Sequence, residues 1–488
     1  MADHNIEIQP GETPFTLSIM SLLRLTEIST TNLHSYETTA CLLITEGAEH
    51  NITDDAGDTL LIKAAKYGLK RLVSVLLANG VEVNLANNLG RTGLTYAAEE
   101  GHGAIVALLL ANGASPNIIT ISGDTALIYA SQKGFEDVVL LLLEKGVEVN
   151  IVNNLGQTAL TYASEEGHEA IVSLLLTGRA NPNIVANCGQ TALTSATWGG
   201  HQAIVQLLLM NNANPNILSS FGTTPLIAAV NKGDEEMVRL LLTNKECKAN
   251  PDIVSLGSNT AMMRAVARGH DRIVHLLIKA GATLEMVNNG GHTALTFAAW
   301  HGRDSIANQL LAAGANPNIL ACGGQNPLSI GALKGNKVIL ELLLKSRANP
   351  DITTAAGETA LMLAASHGHH NIVHLLVGAR ANLDLVSCSG YTALSGAARY
   401  GHETIVRQLL MQGANPNISN NSGKTPLFWA ALNGYEVIVH LLLMNGANPE
   451  IADNQGDTPM GVATDLGHDR IAQVLLEKAA NSLDRRSC

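Results

Sequence analysis

Aromatic side chains are scarce in this sequence. They make up 3% of the 488 residues, whereas hydrophobic residues of all kinds make up 46%. A core with so few rings has to be built from Ala, Leu, Ile and Val, which suits thin stacked layers better than one deep globular centre. Runs of 18 or more apolar residues are absent as well, and such a run is the usual mark of a transmembrane helix. We therefore expect no insertion into a membrane.

Basic segments and catalytic motifs are missing too. The formal net charge is −12 and no basic domain or tail is present, so nucleic acid is not the expected partner. The chain has no phosphate-binding loop, no Gly-x-Ser-x-Gly, no His-Glu-x-x-His and no Cys-x-x-Cys, so no enzyme and no cofactor are predicted. His367, His369 and His370 stand close together, but no cysteine or carboxylate cluster accompanies them, and no metal site is predicted.

Signals for export and for division into domains are also lacking. The first ten residues are acidic and do not have the positively charged region of a secretory signal. Six widely separated cysteines fit a reducing compartment, so we expect a cytoplasmic location. No Pro/Ser-rich linker or charge run divides the chain, and its character is uniform from residue 54 onward.

What the chain does have is a threonine that recurs every 33 residues. It stands at Thr59, Thr92, Thr125, Thr158, Thr191, Thr224, Thr260, Thr293, Thr359, Thr392, Thr425 and Thr458, and Asn326 fills the missing place. The one longer step, from Thr224 to Thr260, contains three extra residues near 245–248, which a turn can absorb.

Each period predicts two short helices. The threonine is a good N-cap, and a glycine about nine residues later ends the first helix. The second helix carries one apolar stripe, as at Ile171, Leu174 and Leu175. Helices this short cannot bury their stripes alone, so neighbouring periods must stack.

A 33-residue period with Gly-x-Thr-x-Leu, Gly-His, Ile-Val-x-x-Leu-Leu and Gly-Ala-x-x-Asn resembles the ankyrin repeat. The resemblance implies an all-α solenoid of helix-turn-helix pairs with short β-hairpin tips, wound into a curved superhelix. It covers residues 54–481 as thirteen repeats. Residues 1–53 are expected to hold a degenerate repeat and a capping helix over 13–29, which lacks the Lys/Arg face of a membrane-surface helix. Residues 482–488 are expected to form a flexible tail.

Two positions depart from the family pattern. The His of Thr-Pro-Leu-His is absent from every repeat, so we expect a weaker ladder of hydrogen bonds between repeats. The Gly that ends the second helix is replaced by Arg179, Asn212, Arg347 and Arg380. If φ is positive there, each Arg costs on the order of 1 kcal/mol.

The resemblance places partner binding on the tips and on the exposed ends of the first helices. From the fifth repeat onward the variable positions there are aromatic and basic, and they are Trp198, Lys232, Arg264, Arg268, Phe297, Trp300, His301, Lys334, His367, Tyr391, Arg399, Tyr400 and Trp429. Trp, Tyr and Arg dominate binding hot spots. We expect the groove from Trp198 to Trp429 to hold an extended or helical protein segment with acidic and apolar residues. The alternative is that the aromatic side chains pack between repeats.

The function implied by the resemblance is a protein–protein interaction scaffold or adaptor, expected to be a monomer. The alternative is an effector of an intracellular bacterium that binds host proteins through the same groove. Repeats from end to end leave no room for a catalytic domain. Asn84 and Asn150 also look like the ankyrin asparagines that a cytosolic asparaginyl hydroxylase accepts in animal cells, or else they are structural hairpin residues.

Overall fold

The computed structural model describes residues 33–484, with side chains described as far as residue 478. The capping helix expected over 13–29 lies outside the described residues. Within them the regular structure is helical, apart from one isolated bridge between Thr53 and Thr59. None of the helices between residues 33 and 484 is both long and apolar enough to cross a bilayer. The chain forms two compact units, Met1–Asn250 and Pro251–Cys488.

The described part of the first unit contains one single helix followed by six helix pairs. They are α1 (Leu33–Thr45), α2 (Leu60–Lys66), α3 (Lys70–Ala78), α4 (Gly93–Glu99), α5 (Gly103–Ala111), α6 (Ala126–Lys133), α7 (Glu136–Glu144), α8 (Ala159–Glu166), α9 (Glu169–Thr177), α10 (Ala192–Gly199), α11 (Gln202–Met210), α12 (Pro225–Lys232) and α13 (Glu235–Thr243). The single helix α1 packs against α3. Its Glu37 accepts the backbone N–H groups of Arg71 and Leu72 at the start of α3, at 3.0 and 3.2 Å.

The described part of the second unit contains seven helix pairs. They are α14 (Ala261–Arg268), α15 (Asp271–Lys279), α16 (Ala294–His301), α17 (Asp304–Ala312), α18 (Pro327–Lys334), α19 (Lys337–Lys345), α20 (Ala360–Ser366), α21 (His370–Gly378), α22 (Ala393–Arg399), α23 (Glu403–Met411), α24 (Pro426–Leu432), α25 (Glu436–Met444), α26 (Pro459–Asp465) and α27 (Asp469–Asp484). A single 3-10 turn, Cys322–Gly324, precedes α18. Helix α27 takes in residues 482–484 of the expected tail, and the last four residues of the chain lie outside the described part.

The first helices begin and end where their sequence dictates. The recurring threonine is the N-cap, as at Thr125, whose side chain accepts the N–H of Ile128. Helix α6 ends at Gly134 with φ 85°, the left-handed conformation that glycine adopts without strain. Pro225 occupies the first position of α12, where its missing N–H has no intrahelical partner to lose.

Within each unit the helices stack in two rows, first helices on first helices and second helices on second helices. The core between the rows is aliphatic: Leu72, Val73 and Leu76 are fully buried, and the same pattern recurs in later repeats. Burial of each such side chain is worth about 1.5–3 kcal/mol. Because this core is assembled by stacking, each pair depends on its neighbours.

One set of hydrogen bonds between repeats comes from the turn that joins the two helices of a pair. The Gly-His histidine reaches the carbonyl that lies 36 residues earlier, and His102 Nε2 is 3.3 Å from the Lys66 carbonyl oxygen. Arg303 and Asn336 replace the histidine in two repeats: Arg303 reaches the carbonyl 36 residues earlier, and Asn336 donates to the Ala299 carbonyl, 37 residues earlier. The further turn histidines that make it are His168, His201, His369 and His402.

The residues that replace the His of Thr-Pro-Leu-His do not link repeats. Thr95 bonds instead to the N-cap Thr92 of its own helix and completes a capping box. The same box recurs in α8, α18 and α22. We expected a weaker ladder of hydrogen bonds between repeats at this position, and the hydroxyls of Thr95, Ser329 and Ser395 accept N–H groups of their own repeats instead.

The tips are tight turns, and the short β-hairpins expected there do not form in the described residues. The tip at Asn87 is closed by two backbone bonds, from the Asn87 N–H to the Arg91 carbonyl at 2.9 Å and from the Gly90 N–H to the Asn87 carbonyl at 2.8 Å. The Asn87 side-chain oxygen accepts two further N–H groups, from Leu89 and Arg91. The tip that begins at Ala186 has no such side chain and is closed by the same backbone bond, from the Ala186 N–H to the Gln190 carbonyl at 2.8 Å, so the turn does not depend on the Asn.

The three extra residues are absorbed by a turn after α13. The Asn244 side-chain oxygen accepts the N–H groups of Glu246 and Cys247, at 3.0 and 2.8 Å. Ala249 then donates to the Leu241 carbonyl at 3.1 Å, which brings the chain back to the repeat pattern.

Candidate partner-binding surface

The two predicted residues of the first unit contact each other. The Lys232 ammonium donates to the Trp198 carbonyl oxygen at 2.6 Å, while 42% of the Trp198 surface stays exposed. In this repeat the turn residue is Asp234, whose carboxylate caps its own helix by accepting the Met237 N–H. Lys232 therefore takes over the task of the turn histidine and leaves the indole ring open.

In the second unit, Arg264, Arg268 and Phe297 line one cavity of about 300 Å³, together with Asn259, Met263 and Ala267. The Arg264 guanidinium is half-buried and donates to the Ser255 hydroxyl at 2.9 and 3.2 Å. Burial, and then the charge of Arg268 one turn later, lower the pKa of Arg264. The Arg268 side chain is exposed.

A second cavity of about 180 Å³ contains Phe297, Trp300 and His301, with His292 and Thr296. The Phe297 ring stacks on His301 with centroids 6.2 Å apart and meets the edge of His292 at 6.0 Å. Lys334 from the next repeat places its ammonium 4.2 Å from the centroid of Trp300, a cation–π contact. Burial, and then the charge of Arg303, lower the pKa of His301.

A third cavity, of about 510 Å³, brings together His367, Tyr391, Arg399 and Tyr400. The Arg399 guanidinium donates to the Tyr391 hydroxyl at 2.9 Å and lies 4.5 Å from the centroid of Trp429. Tyr391 and Trp429 pack with their centroids 5.9 Å apart. Trp429 is half-buried, whereas 54% of the Tyr400 surface is exposed.

We call these side chains of the second unit the aromatic–basic surface. Its members are Arg264, Arg268, Phe297, Trp300, His301, Lys334, His367, Tyr391, Arg399, Tyr400 and Trp429. All of them lie on or next to first helices, so the stacking of first helices brings them onto one face of the unit.

The comparison with known families agrees with this architecture. The family described as "Ankyrin repeats (3 copies)" matches residues 30–120, 115–186, 175–254, 196–285, 247–321, 328–420 and 397–486. The chain belongs to the ankyrin repeat family. Ankyrin repeats generally mediate protein–protein interactions and are typically not enzymes. No curated protein matches the chain.

The first unit of this ankyrin array carries a cationic–aromatic cluster that the sequence analysis missed. Arg91 lies over the rings of Tyr96 and Tyr129, 5.1 and 4.8 Å from their centroids, and forms an ion pair with Glu99 at 2.6 Å. Tyr96 and Tyr129 occupy the same repeat position as Phe297. A comparison of the residues at this repeat position would have identified both tyrosines from the sequence.

Exposed apolar side chains at the tips of the first unit were also missed. Leu89, Ile121, Leu155 and Phe221 are each more than half exposed, between 56% and 69%. A large apolar residue in a turn that otherwise favours Asn, Gly and Ser was the available signal. These tips are a second candidate contact region of the ankyrin array.

The two asparagines suggested for hydroxylation both bridge neighbouring repeats. The Asn84 side-chain oxygen accepts the Ser115 N–H at 2.8 Å, and that of Asn150 accepts the Asn181 N–H at 2.8 Å. Both residues are exposed at the surface. The structural role proposed as the alternative is thus present, and hydroxylation stays a prediction.

Of the three close histidines His367, His369 and His370, the first two are engaged at the turn between α20 and α21, and His370 begins α21. His367 and His369 stack with their centroids 6.2 Å apart, and His369 Nε2 is 3.3 Å from the Leu333 carbonyl oxygen. Among residues 33–478 no group of three or more His, Cys, Asp or Glu side chains is arranged to hold a metal ion.

Proposed function

We propose that this ankyrin repeat protein is a scaffold or adaptor that binds a segment of a protein partner through the aromatic–basic surface. The observation that carries the proposal is that three cavities in this unit are lined by aromatic and cationic side chains. Aromatic residues make up only 3% of the chain, so their concentration around these cavities is a local feature. Tyr, Trp and Arg at a partly open cavity are the side chains that dominate binding energy.

The cationic side chains define the kind of segment that fits. Arg264, Arg268 and Lys334 carry positive charge on this surface, although the whole chain has a net charge of −12. A segment with carboxylates and apolar side chains complements them, whereas nucleic acid is repelled by the net charge. Trp198 and Lys232 of the first unit are proposed as a separate contact.

The proposed setting is the cytoplasm, with the chain as a monomer. Adaptor and host-directed effector would both use the aromatic–basic surface. The source of the captured partner distinguishes them: a protein of the same cell supports the adaptor, and a protein of an infected host cell supports the effector.

The experiment compares the full-length protein with a triple variant of the proposed surface and with a double variant that serves as the control. Trp300→Ala with Arg268→Glu and Arg399→Glu removes one ring and reverses two charges on the proposed surface. We expect the affinity for a captured partner, measured by calorimetry, to fall by about 1–3 kcal/mol or more. Thermal unfolding of each variant checks that the fold is retained.

The matched control is Arg407→Glu with Met411→Ala on α23. The Met411 side chain is 77% exposed, and Arg407 forms only an exposed ion pair with Glu403. This control keeps full affinity if the aromatic–basic surface is the binding site. Equal affinities of the surface variant and the wild type contradict the proposal.

A further inference from the structure

Two of the three cavities on the aromatic–basic surface meet at one side chain. Phe297 lines both the cavity of about 300 Å³ that contains Arg264 and Arg268 and the cavity of about 180 Å³ that contains Trp300 and His301. A single bound segment that crosses Phe297 therefore touches both cavities.

The smaller cavity has the size and lining for one apolar side chain. Its volume of about 180 Å³ is below the roughly 300–1,000 Å³ of pockets that hold whole small molecules. Its lining is made of the rings of Phe297, Trp300, His292 and His301, with Thr296 as the one non-aromatic side chain. Rings offer edges and faces that favour another ring or a large aliphatic side chain.

The larger cavity has the charge for a carboxylate. Arg264 and Arg268 stand four residues apart on α14, so two like charges face the same turn of helix. Among residues 33–478, no carboxylate lies within ion-pair distance of either guanidinium. The arginine of the cationic–aromatic cluster in the first unit differs from these two, because Arg91 forms an ion pair with Glu99.

Lys334 adds a positive charge next to one ring of the smaller cavity. Its ammonium lies 4.2 Å from the centroid of Trp300, so a cation–π contact holds this ring. Asn336 explains why Lys334 is available for this contact. Its side chain donates to the Ala299 carbonyl at 2.6 Å, so Lys334 is not needed to cap α16, unlike Lys232 on α10.

We propose that these two cavities read a short motif in the partner: an aromatic or large aliphatic residue with a carboxylate two positions away. The apolar side chain enters between Phe297 and Trp300, and the carboxylate binds Arg268 and Arg264. The spacing follows from an extended segment, in which side chains two positions apart point to the same side about 7 Å from each other. This inference rests on the proposed function, since it assumes that the partner lies on the aromatic–basic surface.

The test uses four fluorescein-labelled peptides and the full-length protein. Each peptide is a Gly/Ser chain with five central residues: Asp-Gly-Phe-Gly-Asp, Asp-Gly-Ala-Gly-Asp, Asn-Gly-Phe-Gly-Asn or Lys-Gly-Phe-Gly-Lys. Fluorescence anisotropy gives the dissociation constants. We expect the Asp/Phe peptide to bind at least about tenfold more tightly than each of the other three.

Protein variants assign the two halves of the motif. Trp300→Ala should weaken the Asp/Phe peptide about tenfold, and Trp300→Phe should restore most of the affinity because it keeps a ring. Arg268→Glu should weaken the same peptide and strengthen the Lys/Phe peptide, a reversal of charge preference that a merely unfolded variant cannot show. Arg407→Glu on α23 serves as the charge control and should change neither affinity.

The outcomes separate this inference from the proposed function. Equal binding of all four peptides, or a charge preference that Arg268→Glu leaves unchanged, overturns the motif while the surface remains the proposed site. No saturable binding of the Asp/Phe peptide up to roughly 1 mM, where binding free energy is only about 4 kcal/mol, also overturns the motif. In that case the partner-capture experiment alone decides the proposed function.

Discussion

Arg179, Arg347 and Arg380 hold a backbone conformation that suits glycine. Their φ angles are 66°, 62° and 63°, in the left-handed region, as the replacement of the family glycine predicted if φ was positive there. All three side chains are exposed. A Cβ atom in this region costs about 1–2 kcal/mol, and the exposed guanidinium groups offer little packing in return.

Restoring glycine at these three positions should therefore stabilise the protein. Relief of the Cβ clash exceeds the extra chain entropy of unfolded glycine, which is worth about 0.4–1 kcal/mol. We expect a net gain of about 0.5–1 kcal/mol for each of Arg179→Gly, Arg347→Gly and Arg380→Gly. Urea unfolding followed by circular dichroism measures the shift in midpoint.

The control for this series is Arg179→Ala, which keeps a Cβ atom and removes only the guanidinium. It should leave the midpoint nearly unchanged. If Arg179→Ala stabilises the protein as much as Arg179→Gly does, the guanidinium and not the backbone is the source of the strain.

Side-chain partners across repeats are the part of the residue-scale structure that sequence did not reveal. The left-handed site at Arg179 follows from one local rule, the glycine at the end of a helix. The contact of Lys334 with Trp300 depends instead on Asn336, which binds the Ala299 carbonyl and leaves the lysine available. Such contacts are decided by competition between side chains of two repeats, and a single repeat does not contain that information.

At the scale of elements, each helix boundary is set by a short pattern that can be read from the sequence. The N-cap threonines and the glycine that ends a first helix, as Gly134 ends α6, stand where they were expected. The tips were less predictable: the Asn87 side chain captures N–H donors that a β-hairpin would use. The repeat pattern alone does not determine whether a tip forms a turn or a β-hairpin, and the tip at Ala186 is a turn without an Asn side chain.

The turn histidines should be a measurable source of cohesion between helix pairs. His402 Nε2 is 3.1 Å from the Ser366 carbonyl oxygen at the end of α20. His402→Ala removes this bond and should cost about 0.5–1.5 kcal/mol, seen as faster hydrogen exchange of the amides in α20 and α22. His402→Asn should retain part of the protection, because Asn336 of another repeat donates from the same turn position to the neighbouring carbonyl, that of Ala299.

The control variant for this prediction is His440→Ala, which removes an exposed histidine from the surface of α25. It should leave exchange in α20 and α22 unchanged. Equal acceleration by His402→Ala and His440→Ala would mean that the turn bond contributes nothing to cohesion.

At the scale of the whole molecule, the array is a chain of nearest-neighbour contacts. Its hydrogen bonds recur at fixed separations. The turn histidine bonds across 36 residues, as at His168, and the asparagine that bridges neighbouring repeats bonds across 31, as at Asn150. The family and the helix pairs were predictable from the 33-residue period because the period itself carries these contacts. The cavities were not, since each is formed by the residues in which neighbouring repeats differ.

Removal of one complete period should therefore leave a folded protein. Deletion of residues 126–158 joins Thr125 to Ala159, so that Thr125 becomes the N-cap of α8. We expect unchanged mean residue ellipticity and unchanged peptide binding at the aromatic–basic surface, because each remaining repeat still has matching neighbours. Circular dichroism and the anisotropy assay measure both.

An out-of-phase deletion is the control for this prediction. Loss of residues 126–147 removes α6 and α7 but breaks the 33-residue register. This deletion should lower the helical circular dichroism signal by a larger fraction than the fraction of residues that it removes. If both deletions behave alike, the fixed separations do not govern stacking.

The asparagine that bridges neighbouring repeats has a consequence for how such a chain changes over generations. Asn84 and Asn150 bind the following repeat through the same atom and at the same separation, and Asp252 does so in the second unit. Recombination between the coding segments of any two such repeats therefore creates a junction whose bonds are already correct. The gene can gain, lose or reorder units in one event, and each event sets different variable side chains beside each other. New combinations of neighbouring cavities can thus arise without a new fold.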